Sequence, residues 1–356
     1  MLIHNFNAGP AALPGEVLYK ASKAIMGYGP SKMSILELPH RSEAFKDILD
    51  NATRLVRELT GLDESYHVLF LQGGGRLQFS MVPMNFLRAG DTAAYTDTGL
   101  WAALAAEEAA KAGEVNIVAS SREDGYRHIP KNIKVPARSR YLHLTTNNTI
   151  YGTQWNELPK TNVPIVADMS SDILGREMDY AAFDLIYAVA QKNIGIAGVT
   201  MVIVKDSFLK KSNKDLPGYL SYNNHVKAGG LYNTAPVFNI YVTMLMLEWI
   251  KDQGGVKAMH LMNEAKSKLM YDTLEQLPFV SLHAAKADRS MMNVVFDIKE
   301  KGMKDELLRF LEREKIEGVA GHRSIGGFRV SLYNGVEMRS VETLAQCLNE
   351  FSLKKA

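Results

Sequence analysis

Short apolar runs recur at 66–71, 93–96, 115–119, 141–145, 163–167, 185–190 and 199–204, most of them separated by helix-like or loop segments. That succession constrains the fold more than any other feature. Runs of this length without clean polar alternation predict strands covered on both faces, hence an α/β fold with a mostly parallel sheet. A helix is expected before them over 42–59, with Ser42 as its N-cap and a stop near Gly61. Another is expected over 76–87, after the glycine cluster Gly73-Gly74-Gly75. Past Pro236 the character changes. A long helical pattern over 237–251 breaks at Gly254-Gly255 and a further helix runs to about 277. Then come a strand (292–297), a helix (304–314), a strand (327–333) and a helix (341–353), which together read as a small α+β domain. The 356 residues therefore divide, as an expectation, into a large domain over 15–258 and a small one over 259–356, with residues 1–14 packing nearby.

Bulk properties exclude several classes of function. Lys and Arg number 41 against 39 Asp and Glu, a formal net charge of +2 without long runs of either sign, so no nucleic-acid footprint is expected. Cys347 is the single cysteine, which rules out an intramolecular disulfide and a thiolate metal cluster; no metal site is expected. It sits in an amphipathic pattern and is expected to be a buried structural thiol. No apolar stretch is long enough to span a bilayer and no secretory leader is expected, so the predicted location is the cytoplasm. The 17 methionines fall mostly inside apolar runs and read as core filling.

Chemistry enters at two run ends. Asp168 follows the run 163–167, and Lys192 follows the run that ends at Ala190. In open α/β sheets the strand exits line the ligand crevice. An amine and an acid delivered there together suit pyridoxal 5'-phosphate (PLP), whose carbonyl bonds to an amine and whose ring nitrogen needs an acid partner. Taken singly, Lys192 would read as a surface lysine and Asp168 as a helix cap. The turn Gln72-Gly73-Gly74-Gly75-Arg76 lies between a strand and a helix, where free N–H groups and the helix dipole favour a phosphate. It is not a P-loop, because Lys followed by Ser or Thr is missing, and a dinucleotide fingerprint would need glycine at Gln78.

The motifs, taken in order, are more specific than any one of them. They are NFNAGPAALP (5–14), His40-Arg41-Ser42, LQGGGRLQF (71–79), TGLW (98–101), NNTIYG (147–152), ADMSS (167–171), AQKNIG (190–195), YNTAP (232–236), and GHR (321–323) with GFRVSLYN (327–334). In this set and order the chain resembles, essentially from end to end, the phosphoserine aminotransferase family, class-V enzymes of PLP fold type I that serve serine biosynthesis. The resemblance implies a large domain with a mostly parallel seven-stranded sheet and a smaller α+β C-terminal domain. It also implies a homodimer whose active sites are shared across the interface.

Residue roles follow from the same resemblance. Lys192 would hold PLP through a Schiff base and then move the proton at the substrate Cα. Asp168 would pair with the ring nitrogen, Trp101 would stack on the ring face, and Thr149 would donate to the ring phenolate oxygen. Backbone N–H groups of Gly75 and Arg76, with the Gln191 side chain, would form the phosphate cup, which Asn233 and Thr234 would complete from the second subunit. The substrates implied are L-glutamate and 3-phosphooxypyruvate, each with an anion at both ends. Planar guanidinium groups suit such anions. Arg329 would take the α-carboxylate; His40, Arg41 and Arg76 the distal phosphate or γ-carboxylate; His322 and Arg323 would line that distal side. Apart from the motif, each of these arginines would read as a solvated surface charge, least comfortably Arg329 between Phe328 and Val330.

The chain departs from the expected family pattern at Gly75-Arg76 in the glycine turn, and at Val189 and Ile196, where glycine and proline are expected beside the lysine. Other readings fit less well. An alanine–glyoxylate type transaminase does not need a second anion cluster, and a cysteine desulfurase needs a loop cysteine rather than Cys347. A binding protein that had merely kept the fold need not have kept Lys192 and Asp168. A longer 4-phosphooxy keto acid of pyridoxine biosynthesis presents the same two anions and is a candidate second substrate.

Overall fold

The computed structural model describes residues 3–300 and 302–355. Residues 1, 2, 301 and 356, all within the ranges expected for the small domain and its N-terminal neighbour, lie outside the described residues. The chain begins with helices α1 (Gly15–Met26) and α2 (Glu43–Thr60), then enters strand β1 (Tyr66–Gln72). Next come α3 (Gly75–Phe86), β2 (Thr92–Asp97), α4 (Leu100–Ala109), β3 (Glu114–Ser120), β4 (Leu142–Thr145) and β5 (Ile165–Asp168). Strand β6 (Leu185–Val189), the short helix α5 (Ala190–Asn193) and β7 (Val199–Lys205) complete the large sheet.

This seven-stranded sheet has the order β1-β7-β6-β5-β4-β2-β3. Strand β7 runs antiparallel to both its neighbours, and all other pairs are parallel. The unalternating apolar runs are explained by the two covered faces. Phe70, Leu144, Ala167, Ala188 and Met201 pack on one side with α1, α2 and α6 (Val237–Asp252). Leu69, Tyr95, Val166, Tyr187 and Val202 pack on the other with α3 and α4. Helix α6 is apolar nearly all round, as a fully buried helix must be.

Differences from the sequence-based expectations have local causes. Strand β3, expected to be buried, is an edge strand paired only with β2, and Ile117 on it is 44% exposed. Its sequence EVNIVAS carries the polar residues that such an edge tolerates. Strand β5 starts at Ile165 and includes Asp168, because Pro164 has no N–H to donate to the ladder. Helix α1 carries no signal of a start, since Pro14 at its N-cap offers no capping side chain.

Beyond α6, α7 (Gly255–Glu275), α8 (Met303–Arg313) and α9 (Met338–Leu353) cover a three-stranded sheet. Its strands are β8 (Val280–Leu282), β9 (Asn293–Ile298) and β10 (Phe328–Ser331), antiparallel in that order. The core there is separate and includes Phe6 from the N-terminal segment as well as Cys347. Burial raises the Cys347 thiol pKa to about 11, which leaves it a protonated packing group.

Candidate active site

Because β7 alone is reversed, β1, β2, β4, β5 and β6 all end at one edge of the sheet. Just past that edge lie Gly75 and Arg76 after β1, Trp101 after β2, Thr149 after β4, and Gln191 with Lys192 after β6; Asp168 is the last residue of β5. Residues spread over more than a hundred positions are brought together by the topology.

Lys192 sits in α5, the single turn that redirects the chain after Val189. Its Nζ donates to Thr149 Oγ1 at 2.8 Å. Burial lowers the amine pKa to about 8; Asp168 opposes that shift and the Arg329 charge adds to it. An amine so displaced is partly neutral, and hence nucleophilic, near neutral pH. Asp168 is buried between Thr145 and Tyr187, its neighbours in the ladder. Burial raises its pKa, while the Lys192 charge and the hydrogen bonds from Ser170 pull the other way. The Ser170 amide donates to Asp168 Oδ1 at 2.9 Å, an Asx turn that fixes the carboxylate at the strand's end.

At the β1–α3 turn, Gly73 has φ +94°, and a side chain there would meet Leu77 at 2.7 Å. Helix α3 then starts at Gly75 with no capping side chain. The first amides of the helix, those of Gly75 and Arg76, are thus free to bind an anion. The exposed Arg76 guanidinium leans over the Trp101 ring, 5.9 Å from its centroid. Trp101 is half-buried and packs with Tyr126, Ile150, Tyr151 and Ile325.

Arg329 stands on β10 between two fully buried neighbours, Phe328 and Val330. Its Nε is buried and has no hydrogen-bond partner. Burial lowers its pKa, and a buried charged N–H without an acceptor is costly unless an anion meets it. His322 lies near enough that the Arg329 and Arg323 charges add to the lowering of its pKa by burial. Its Nδ1 is 2.7 Å from Ser324 Oγ. Arg323 itself is exposed.

His40 and Arg41 are not brought to this cluster. They occupy the turn ahead of α2, the first half-buried and the second exposed, and no hydrogen bond among the described residues joins them to Lys192, Asp168 or Arg329. Asn233 and Thr234 face the residue ahead of the glycine turn. Asn233 Nδ2 donates to Gln72 Oε1 at 2.6 Å, and Gln72 Nε2 donates to Thr234 O at 3.0 Å.

Site residues that the sequence did not single out include Gly9, Ser170, Asn193 and Tyr333. The segment containing Gly9 lies over α5: the Ala11 amide donates to Gln191 O at 2.9 Å, and Tyr333 Oη donates to Ala8 O at 3.2 Å. Gly9 has φ +131°, and a Cβ there would approach Lys192 Cγ to 3.3 Å. Glycine is required on both counts. Each of these residues stands inside a motif already recognised, yet only contact geometry separates them from their neighbours.

The donor set fits PLP. It comprises a nucleophilic lysine, an acid within range of its charge, a hydroxyl on the lysine, an aromatic ring, and helix amides left free for a phosphate.

The chain matches the family model for class-V aminotransferases over residues 3–344. It is 46% identical to the phosphoserine aminotransferase of Bacillus subtilis over 349 residues, 98% of this chain and 97% of that one. Among solved structures, the phosphoserine aminotransferase of Bacillus circulans subsp. alkalophilus superposes with a TM-score of 0.97 at 41% identity, covering 100% of this chain and 99% of that one. The PLP-bound phosphoserine aminotransferase of Trichomonas vaginalis gives 0.93 at 31% identity, with 98% and 100% covered.

Proposed function

The chain belongs to the phosphoserine aminotransferase family of class-V aminotransferases, and from that premise we propose that it moves an amino group reversibly from L-glutamate to 3-phosphooxypyruvate. The products are 2-oxoglutarate and O-phospho-L-serine. The observation that carries this reading is the Lys192 amine, half-buried, its pKa lowered to about 8, and set on Thr149 within reach of the Asp168 and Arg329 charges.

Bound PLP supplies an electron sink for charge developing at the substrate Cα. The chain's own groups do the rest. Lys192 Nζ holds the cofactor and serves as the base that removes and returns the proton at Cα. With PLP bound, Asp168 would hold a proton on the ring nitrogen. Gly75, Arg76 and Gln191 would take the phosphate, Trp101 would cover the ring, and Thr149 would donate to the ring oxygen. Arg329, with an N–H lacking any acceptor, takes the α-carboxylate common to both substrates. The Gly9 segment shields the lysine from water. His322 and Arg323 line the distal-anion side, which Arg76 also faces.

His40, Arg41, Asn233 and Thr234 complete a neighbouring site in a homodimer. Apolar side chains left exposed on α1 and just ahead of His40, among them Tyr19, Met26 and Leu36, support an interface there. No helix of the described residues is long and apolar enough to cross a membrane, in keeping with a cytoplasmic enzyme.

The test is the visible absorption of the PLP-loaded protein. A band that bleaches with glutamate and returns with 3-phosphooxypyruvate is expected. Return only with glyoxylate or pyruvate would assign a different transaminase, and no band with added PLP would refute the reading. The 4-phosphooxy keto acid, run alongside, tests the second substrate.

A further inference from the structure

Lys266, on α7, is 1% exposed and stands outside the machinery described above. Its ammonium donates to three backbone carbonyls: Leu332 O at 3.1 Å, Tyr333 O at 2.9 Å and Val336 O at 3.0 Å. All three belong to the turn that follows β10, the strand carrying Arg329. A buried lysine is expensive, and among the described residues no carboxylate pairs with it; its partners are carbonyls of one turn. Burial lowers its pKa to about 7, while the three acceptors favour the charged form.

The same turn is bound to both charged ends of the site. The Asn334 amide donates to Asn193 Oδ1 at 2.9 Å, and Asn193 is the residue after Lys192. Asn193 Nδ2 donates to Ile173 O at 2.5 Å and Asn334 Nδ2 to Leu174 O at 3.1 Å, both in the loop leaving Asp168. One turn up α7 from Lys266, Asn263 Nδ2 donates to Gly175 O at 2.7 Å and to Asn334 Oδ1 at 2.8 Å. Asn193, Asn263 and Asn334 are at most 1% exposed. A continuous buried web thus runs from α7 through the turn after β10 to the backbone on either side of the reacting groups.

We propose that Lys266 is a positioning residue for substrate binding: by gathering the three carbonyls it sets the exit of β10, and with it the distance from Arg329 to Lys192. This rests on the assignment of Arg329 to the shared α-carboxylate. The cofactor contacts at Gly75, Arg76 and Asp168 are carried by the large sheet and its first helix turn, and among the described residues none of the three hydrogen-bonds to the turn that Lys266 holds.

The experiment compares wild type with Lys266→Met, which keeps the apolar stem of the side chain and removes its donors. In the folded, PLP-loaded fraction KM should rise for glutamate and 3-phosphooxypyruvate together, roughly ten- to a hundredfold, with PLP affinity little changed, because a small misplacement of a binding group carries penalties of that order. In the cofactor-free protein, amide hydrogen exchange should quicken over residues 329–336 and 173–175 relative to wild type. A purely structural lysine would lower thermal stability and the yield of folded enzyme while leaving both KM values at the wild-type level, and that result overturns the proposal. If Lys266→Met does not fold, Asn263→Ser cuts the same web one link away and should show the same paired KM rise; unchanged KM values there also overturn it. Wild-type enzyme that fails to turn over these substrates would refute the function instead, and the exchange measurement would still show whether Lys266 holds the turn after β10.

Discussion

At Lys192, burial and the Arg329 guanidinium both work against the ammonium, and Asp168 only partly restores it. The folded pKa is lowered, so the neutral amine predominates above about pH 8 rather than above the usual lysine value. Capture of added PLP by the cofactor-free protein should therefore accelerate as pH rises through about 8 and then level off. A rate still climbing in proportion to hydroxide up to pH 10 would show that the amine is not perturbed. The same linkage makes folding of the cofactor-free protein more favourable as pH rises from about 8, because the unfolded chain then binds the proton that Lys192 has lost. Arg329 makes a different kind of prediction. Hydrogen bonds to charged groups contribute about 1.5–3 kcal/mol, so Arg329→Ala should raise KM roughly ten- to a hundredfold for the amino donor and the keto acid alike. Steady-state kinetics with each substrate varied in turn checks this, and a defect confined to one of them contradicts the assignment. Lys192 and Asp168 were legible in the sequence because each is a charged residue closing an apolar run. Gly9 and Tyr333 were not, because their importance lies in one close approach and one hydrogen bond across hundreds of positions.

Elements were legible to the extent that their ends were written in side chains. Helix α2 shows this best: Ser42 Oγ accepts the Phe45 amide at 3.3 Å, and Gly61 closes the helix in the left-handed region at φ +71°. Both ends are chemical signals in the chain itself, and the buried stripe of Phe45, Ile48, Leu49, Ala52, Leu55 and Val56 repeats at helical spacing. Ser42→Ala should cost about 1 kcal/mol, read as a lower urea midpoint with unchanged slope. Because Ser42 follows Arg41, the same substitution should also weaken binding of the phosphorylated substrate if the cap fixes that turn; a stability loss with unaltered KM would separate the two. Helix α1 was missed for the opposite reason. It lacks a cap, and Leu18, Tyr19 and Met26 stand exposed where an amphipathic pattern would have polar residues. Those side chains answer to something outside the chain, which sequence periodicity within it does not encode. The apolar residues of β3 suggest a buried strand because nothing in its own sequence says that β2 is its only neighbour.

For the whole molecule, function turns on which chain supplies each anion-binding group. With β7 alone reversed, the other six strands exit at one edge, and that assembles the lysine, the acid, the aromatic ring and the glycine turn within one chain. The motif that carries His40 and Arg41 stays apart from that edge, beside apolar side chains that a second copy would cover. If sites are shared in a homodimer, each needs Lys192 from one chain and Arg41 from the other. Lys192→Ala and Arg41→Ala proteins should then each be nearly inactive alone, yet regain activity when unfolded together and reassembled. In a mixed dimer one site loses both groups and the other keeps both. Random pairing makes half of the dimers mixed, so about a quarter of wild-type activity should return. Restoration should need joint refolding, since intact dimers exchange chains slowly when their interface is large and apolar. If Arg41 instead served the Lys192 of its own chain, every site in the mixture would lack one group or the other. No activity would then return at any mixing ratio, and the distal anion would have to be held by Arg76, His322 and Arg323 alone.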